Sequence, residues 1–181
     1  DFEVEFDGMG YLVSYKLGGR KMLTQPLKPS FFRAMTENDW AVRGGKTTRM
    51  HYHSWKMWRK PVDQLDSFRL VEENGCVVVR TKHRYSDLGT IIQMTYKIDR
   101  VGNIAVSEQM IPRKESFECL GMLCYGVALA MPERFNRIEF YGAGEHETYI
   151  DRKSSALVGV YKQNVADQFW PYYSRPQESG A

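Results

Sequence analysis

Phe68-Arg69-Leu70-Val71-Glu72-Glu73-Asn74-Gly75-Cys76-Val77-Val78-Val79-Arg80-Thr81 reads as two strands joined by a tight turn. The segments Phe68–Glu72 and Cys76–Thr81 flank Glu73-Asn74-Gly75, and Asn-Gly suits the turn in which both central residues take positive φ. The valines after the turn are β-branched and prefer an extended backbone. Outward in the C-terminal direction, Ile92, Met94, Tyr96 and Ile98 fall at every second position, the period of a strand with one buried face. Asp99–Asn103 is a turn and Ile104–Met110 continues the pattern. Leu120–Ala130 is almost continuously apolar and ends at Pro132, which predicts a buried strand; Arg137–Tyr141 and Ala156–Tyr161 add two more.

In the other direction, Phe2, Val4 and Phe6 alternate with Glu3 and Glu5, Asp7-Gly8-Met9-Gly10 is a turn, and Tyr11, Val13, Tyr15 and Leu17 alternate up to Gly18-Gly19. This predicts a hairpin. Arg20 to Pro29 reads as loop or sheet edge because Pro26 and Pro29 lack the N–H that a ladder needs. Alternation fails between Phe31 and Pro61. There Thr36 and Asn38 can cap a helix, and Tyr52, Trp55 and Trp58 recur at a spacing that predicts a short helix around His51–Arg59. About nine or ten strands with a turn roughly every ten residues predict an all-β, antiparallel sandwich over residues 1–181 as a single domain, with one helical or irregular segment near residues 36–60.

Composition narrows the function classes. The chain has 181 residues, is 43% hydrophobic, and carries 25 Lys plus Arg against 22 Asp plus Glu, a net charge of +3. That is apolar enough for a core and too balanced for a nucleic-acid binder, whose basic residues concentrate on one face. No apolar run approaches the ~20 residues of a membrane helix, and no signal peptide is visible. The 3 cysteines are too few for a disulfide scaffold. The chain starts at Asp1 almost directly in a strand pattern and stops just after an aromatic, proline-containing segment, so it is expected to be cut from a longer polypeptide.

Candidate chemistry is sparse. Cys76, Cys119 and Cys124 lack zinc-ligand spacing and read as small buried hydrophobes. His51 and His53 suit a ligand pair on a strand but have no obvious third ligand, so no metal is expected. Gly142-Ala143-Gly144 has Glu147 where a dinucleotide loop needs its third glycine, in an all-β context. Trp40, Trp55, Trp58, Trp170, Tyr172 and Tyr173 lie in irregular segments, as sugar-stacking or interface aromatics do, and equally as lids of a core do. Glu37 with Asp39, or Glu145 with Glu147, are pairs on paper for glycoside hydrolysis; acidic pairs in loops are more commonly solvated.

Three segments taken together resemble a known family. Tyr141-Gly-Ala-Gly-Glu-His-Glu-Thr-Tyr-Ile-Asp-Arg152 resembles the W/Y-G-x-G-P-x-E-x-Y-x-D-R motif of large bacterial β-galactosidases of glycoside hydrolase family 2. Val165-Ala-Asp-Gln-Phe-Trp-Pro-Tyr-Tyr-Ser-Arg-Pro-Gln-Glu-Ser-Gly180 is similar to their P-Y-x-x-P-Q-E-N-G segment, and Pro29-Ser-Phe-Phe-Arg-Ala-Met-Thr-Glu-Asn-Asp39 to their R-x-P-x-D-N-D loop. The order and separations match. The departures are Glu145 for proline, Ser179 for asparagine, and Met35-Thr36-Glu37-Asn38-Asp39 for Pro-x-Asp-Asn-Asp; they bear on which β-glycoside is preferred.

The resemblance implies the first two-thirds of the C-terminal small-chain domain (domain 5), a β-supersandwich related to the galactose mutarotase fold. It implies that retaining hydrolysis of terminal β-D-galactosides belongs to a (β/α)8 barrel outside this chain, so this chain has no catalytic residue and no cofactor. Its partners are then the remaining domains of the parent enzyme and a β-galactoside or related sugar, with no nucleic acid and no membrane. Large members assemble as dimers or tetramers, which leaves a homo-oligomer open, and the compartment, cytoplasmic or periplasmic, is open too. Arg33, Glu37, Asn38 and Asp39 are implied to stand at the active-site rim, against the plainer reading of Asn38 and Asp39 as caps. Gly142, Gly144, Glu147, Tyr149, Asp151, Arg152, Pro171, Tyr172, Pro176, Glu178 and Gly180 are implied to be structural. Arg152 and Arg175 would give the bidentate carboxylate pairing that Lys cannot. The alternatives are an independent carbohydrate-binding module and, from fold analogy alone, an aldose epimerase-like protein.

Overall fold

The computed structural model describes residues 1–33, 56–112, 122, 124–146, 148 and 153–168. Among these residues eleven strands follow in chain order: β1 (Phe2–Phe6), β2 (Leu12–Leu17), β3 (Arg20–Lys21), β4 (Gln25–Ser30), β5 (Asp63–Glu73), β6 (Cys76–Tyr85), β7 (Thr90–Ile98), β8 (Ile104–Pro112), β9 (Gly126–Ala130), β10 (Arg137–Gly144) and β11 (Leu157–Asn164). Every pairing is antiparallel, so the all-β expectation holds. The chain divides into two compact units, Asp1–Phe32 with Met50–Pro132, and Arg33–Arg49 with Glu133–Ala181.

The first unit is a sandwich of two sheets. One has the order β1-β2-β4-β9 with β3 beside β2, and the other is β5-β6-β7-β8. The β5–β6 hairpin closes as its Asn-Gly predicts: Asn74 and Gly75 have φ of 50° and 73°. Its strands run longer than the sequence pattern suggests, because Arg80–Glu73 and Arg84–Asp66 ion pairs line the solvent side while Val79, Thr81, His83 and Tyr85 face inward. On β7 the alternation is complete, with Ile92, Met94 and Tyr96 fully enclosed. The sheets meet through Phe6, whose ring lies edge-on to Tyr96 at 5.0 Å and to Phe68 at 6.2 Å.

Three expectations change, and one open reading is decided. In β2, Val13 does not share a face with Tyr15. Glu5 pairs Ser14 and Phe6 pairs Leu12, so Val13 is the extra residue of a bulge, and Leu12 takes the place beside Phe6. Of the stretch from Arg20 to Pro29, Arg20–Lys21 is the short edge strand β3 and residues 22–24 lie outside any strand, as a loop or sheet edge would, but from Gln25 onward it is the interior strand β4. β4 runs between β2 and β9, tolerating its prolines because its register breaks between Gln25 and Lys28 and because it meets β2 at Leu12–Leu27 only. The apolar run before Pro132 is not a buried strand: β9 covers Gly126–Ala130, and Val127 and Leu129 are 43% and 44% exposed. β9 is the outermost strand of its sheet, so nothing among the described residues covers it from both sides. Of the two open readings of Trp58, part of a core and stacking platform, the first holds. Trp58 is 1% exposed, packed against Phe31 at 5.5 Å, on the helical turn 56–59 that is the described part of the predicted helix. The other aromatics singled out, together with His51, His53 and Cys119, lie outside the described residues.

The second unit contains the β10–β11 hairpin and a 3-10 turn, Val165–Gln168. Each strand is longer than its sequence pattern. Phe140 stacks on Tyr161 at 5.4 Å, while Tyr141, Val158 and Val160 on the opposite face are largely exposed.

Candidate functional site

The densest set of chemically capable side chains in the described residues lies in the first unit, between its two sheets. Alternation along β6 turns Thr81, His83 and Tyr85 to the interior. Asp63 opens β5 directly opposite Tyr85. Tyr11 comes from the other sheet, held at the start of β2 by the Asp7 turn. The Asp7 carboxylate accepts from the Tyr11 and Met9 amides at 2.9 and 3.0 Å. Gly10 makes this approach feasible. Its φ is 77°, and a Cβ there would meet Thr81 Cγ2 at 2.8 Å.

The polar groups then satisfy one another. The Tyr11 hydroxyl donates to Asp63 Oδ2. Its one proton is thereby used, so Tyr85, 3.0 Å away, donates to Tyr11. His83 Nδ1 lies 3.0 Å from Asp63 Oδ1 and Nε2 lies 3.0 Å from Thr81 Oγ1. A carboxylate only accepts, so Nδ1 carries a proton, and in the neutral ring Nε2 accepts from the Thr81 hydroxyl. The imidazole stacks on the Tyr11 ring at 4.5 Å, and Lys28 Nζ stands 4.7 Å from the centre of that ring. Burial, then the bond to Asp63, pushes the Tyr11 phenol far above its ordinary range, and burial raises Tyr85. Both are neutral donors at any physiological pH.

The order Asp63–His83–Thr81 is that of orienter, base and hydroxyl in nucleophilic catalysis. That chemistry also needs an open position about 3 Å from the hydroxyl where a reacting atom can sit. Thr81 is 3% and His83 0% exposed, under Gly10 and the Tyr11 ring. The buried network therefore ties the start of β2 to β5 and β6. Sequence reasoning missed it. His83 and Thr81 look like ordinary members of a strand, and only the register that sets Asp63 opposite Tyr85, with Tyr11 crossing from the other sheet, brings the set together.

Of the predicted rim residues, Arg33 is half-buried and directly follows Phe31 and Phe32; Glu37, Asn38 and Asp39 lie outside the described residues. Gly142 and Gly144 fall near the end of β10. A Cβ on Gly144 would meet the Tyr161 ring at 2.8 Å, whereas at Gly142 the nearest side chain would be 3.7 Å away. Glu147, Tyr149, Asp151, Arg152, Pro171, Tyr172, Pro176, Glu178 and Gly180 lie outside the described residues. Among the described residues no group of three or more His, Cys, Asp and Glu side chains is placed to hold a metal ion. Cys76 is half-buried and Cys124 exposed, so the second is not the buried hydrophobe its sequence context suggests.

Fold and site define the class: an antiparallel β-sandwich whose central polar cluster holds two sheets together. The whole chain, residues 1–181, matches the family described as β-galactosidase small chain, and the chain belongs to that family. It is 30% identical over 182 residues to a β-galactosidase of Lactobacillus delbrueckii subsp. bulgaricus, an overlap of 99% of this chain and 17% of that protein. With the β-galactosidase of Halalkalibacterium halodurans it shares 28% identity over 187 residues, again 99% of this chain and 17% of the relative. With that of Streptococcus thermophilus it shares 28% over 196 residues, 99% and 18%. The chain thus spans less than a fifth of the length of these curated relatives.

Proposed function

We propose that the chain is an accessory sandwich domain of a larger β-galactosidase. In this reading a barrel outside these residues hydrolyses terminal β-D-galactosides with retention. The segment from Arg33 to Asp39 contributes to the mouth of its active site, and the sandwich stabilises the assembled enzyme. The supersandwich related to the galactose mutarotase fold belongs to the same reading. The observation that carries it is the match of all 181 residues to the small-chain family while they span 17% of a β-galactosidase. The buried state of the Asp63–His83–Thr81 chain is in keeping with a supporting role.

The test uses nitrophenyl β-galactoside. The purified 181-residue chain should give no turnover, and the longer polypeptide that carries it should. In that polypeptide Arg33→Ala should raise KM several-fold with kcat less affected, as expected for a group that binds substrate and transition state alike. Turnover by the chain alone would overturn the reading.

A further inference from the structure

Glu108 is a carboxylate that the fold buries and leaves unmatched. It stands on β8 opposite Met94, on the same side as Ile104 and Met110, which pack against the core. Both its oxygens are closed to solvent, and neither has a hydrogen-bond partner among the described residues. Its charge is felt by three phenols already raised by burial: Tyr85 and Tyr96 of β6 and β7, and Tyr125 just ahead of β9. Buried carboxylates are ordinarily paired, so an orphan of this kind calls for an explanation.

Two further features converge on the same flank. Among the described residues β8 is the last strand of the sheet β5-β6-β7-β8, so half of its N–H and C=O groups point outward with no described strand to meet. An apolar strip lies beside it. Tyr125 stacks on Phe31 and hydrogen-bonds the backbone of Met110, which brings the end strand of one sheet beside the end strand of the other. Val127 lies opposite Pro29, on the core side of its sheet, yet is 43% exposed.

A free edge, an apolar strip and a buried carboxylate are met together by one kind of occupant: an extended, apolar segment with one cationic side chain. A second copy of the chain does not fit. Ile104–Pro112 carries no Lys or Arg, so a two-fold antiparallel pairing of two β8 strands brings no cation of that strand to Glu108 in any register. We propose that a strand from the parent polypeptide, outside residues 1–181, pairs with the free edge of β8 and places an Arg or Lys against Glu108. This rests on the reading of the chain as one domain of a larger enzyme, whose relatives hold more than four-fifths of their length elsewhere.

The test is made on the longer polypeptide. Amide exchange in a peptide covering 104–112 should be slowed by about a hundredfold or more relative to an open edge. Glu108→Gln should lower its unfolding temperature, because the substitution breaks an ion pair. Exchange at the rate of an unpaired edge, or a Glu108→Gln variant as stable as or more stable than its parent, would overturn the proposal. A galactosidase assay on the same polypeptide reports separately. An inactive enzyme with a protected, Glu108-sensitive β8 would remove the proposed function alone, and an active one with a freely exchanging β8 would remove this inference alone.

Discussion

Asp63 accepts from both Tyr11 and His83, so its removal orphans two buried donors. Asp63→Ala should destabilise the chain by about 2–6 kcal/mol, at ~1–3 kcal/mol per unsatisfied group. Tyr85→Phe, which takes away a donor and leaves the Tyr11–Asp63 bond intact, should cost about 1 kcal/mol. Urea midpoints at constant m-value measure both, and equal losses in the two variants would contradict the hierarchy. Glu108 behaves in the opposite sense. Burial raises its pKa to about 7 from 4.5, and its charge adds to the burial that raises Tyr85, Tyr96 and Tyr125. A carboxyl raised in the folded state binds its proton more tightly there than in the unfolded chain. The associated stability is complete below pH 4.5 and is lost as pH rises through about 7. For residues 1–181 alone, unfolding temperature should therefore fall across that window. Glu108→Gln should flatten the fall and leave the variant more stable than wild type at pH 8. A wild-type profile already flat between pH 4.5 and 8 would show that Glu108 is not desolvated.

Turns decide how the strands meet. Gly10 and Gly102 both take positive φ, 77° and 93°, and an added Cβ would meet the opposite sheet at both: Thr81 Cγ2 at 2.8 Å in the first case, the Phe2 ring at 3.0 Å in the second. Gly18 has φ of 54° with nothing within 4 Å. An alanine at Gly18 should cost ~1 kcal/mol for the backbone alone, while Gly10→Ala should add an overpacking penalty of about 1–3 kcal/mol. Thermal melts of the two variants should rank Gly18→Ala the milder; the reverse order would place the strain elsewhere. The same elements separate what sequence could convey from what it could not. The hairpin at Asn74-Gly75 and the alternation of Ile92, Met94, Tyr96 and Ile98 are local signals, and the strands follow them. The Val13 bulge, the prolines of β4 and the exposure of β9 depend on which strands become neighbours, and a period-two pattern carries no information on that. The polar cluster was hidden for the same reason, since its members come from Tyr11, Asp63 and β6 and meet only in the sandwich. The proposed rim residues could be named only through a resemblance spread over three separated segments.

At the scale of the molecule, the unsatisfied surface is specific in kind. On β10–β11, Tyr141 pairs Val160 and Ala143 pairs Val158, and this face leaves Tyr141, Val158 and Val160 at 78%, 67% and 62% exposed. The other face carries its own apolar contact, Phe140 on Tyr161. A two-stranded hairpin apolar on both sides is marginal in water and is stable when layers cover it. Residues 1–181 in isolation should therefore self-associate as concentration rises. Val158→Thr with Val160→Thr keeps β-branched shapes on the strand while making that face polar, and it should shift association to several-fold higher concentration in sedimentation velocity. In the longer polypeptide the same pair should instead lower the unfolding temperature, provided this face is covered there. The sign of the effect in the two settings distinguishes a surface that is only sticky from one built to be buried. A pair of substitutions that changes neither association nor stability would mean that the hairpin is a solvent-facing element, and that the cover required by its sequence pattern does not exist.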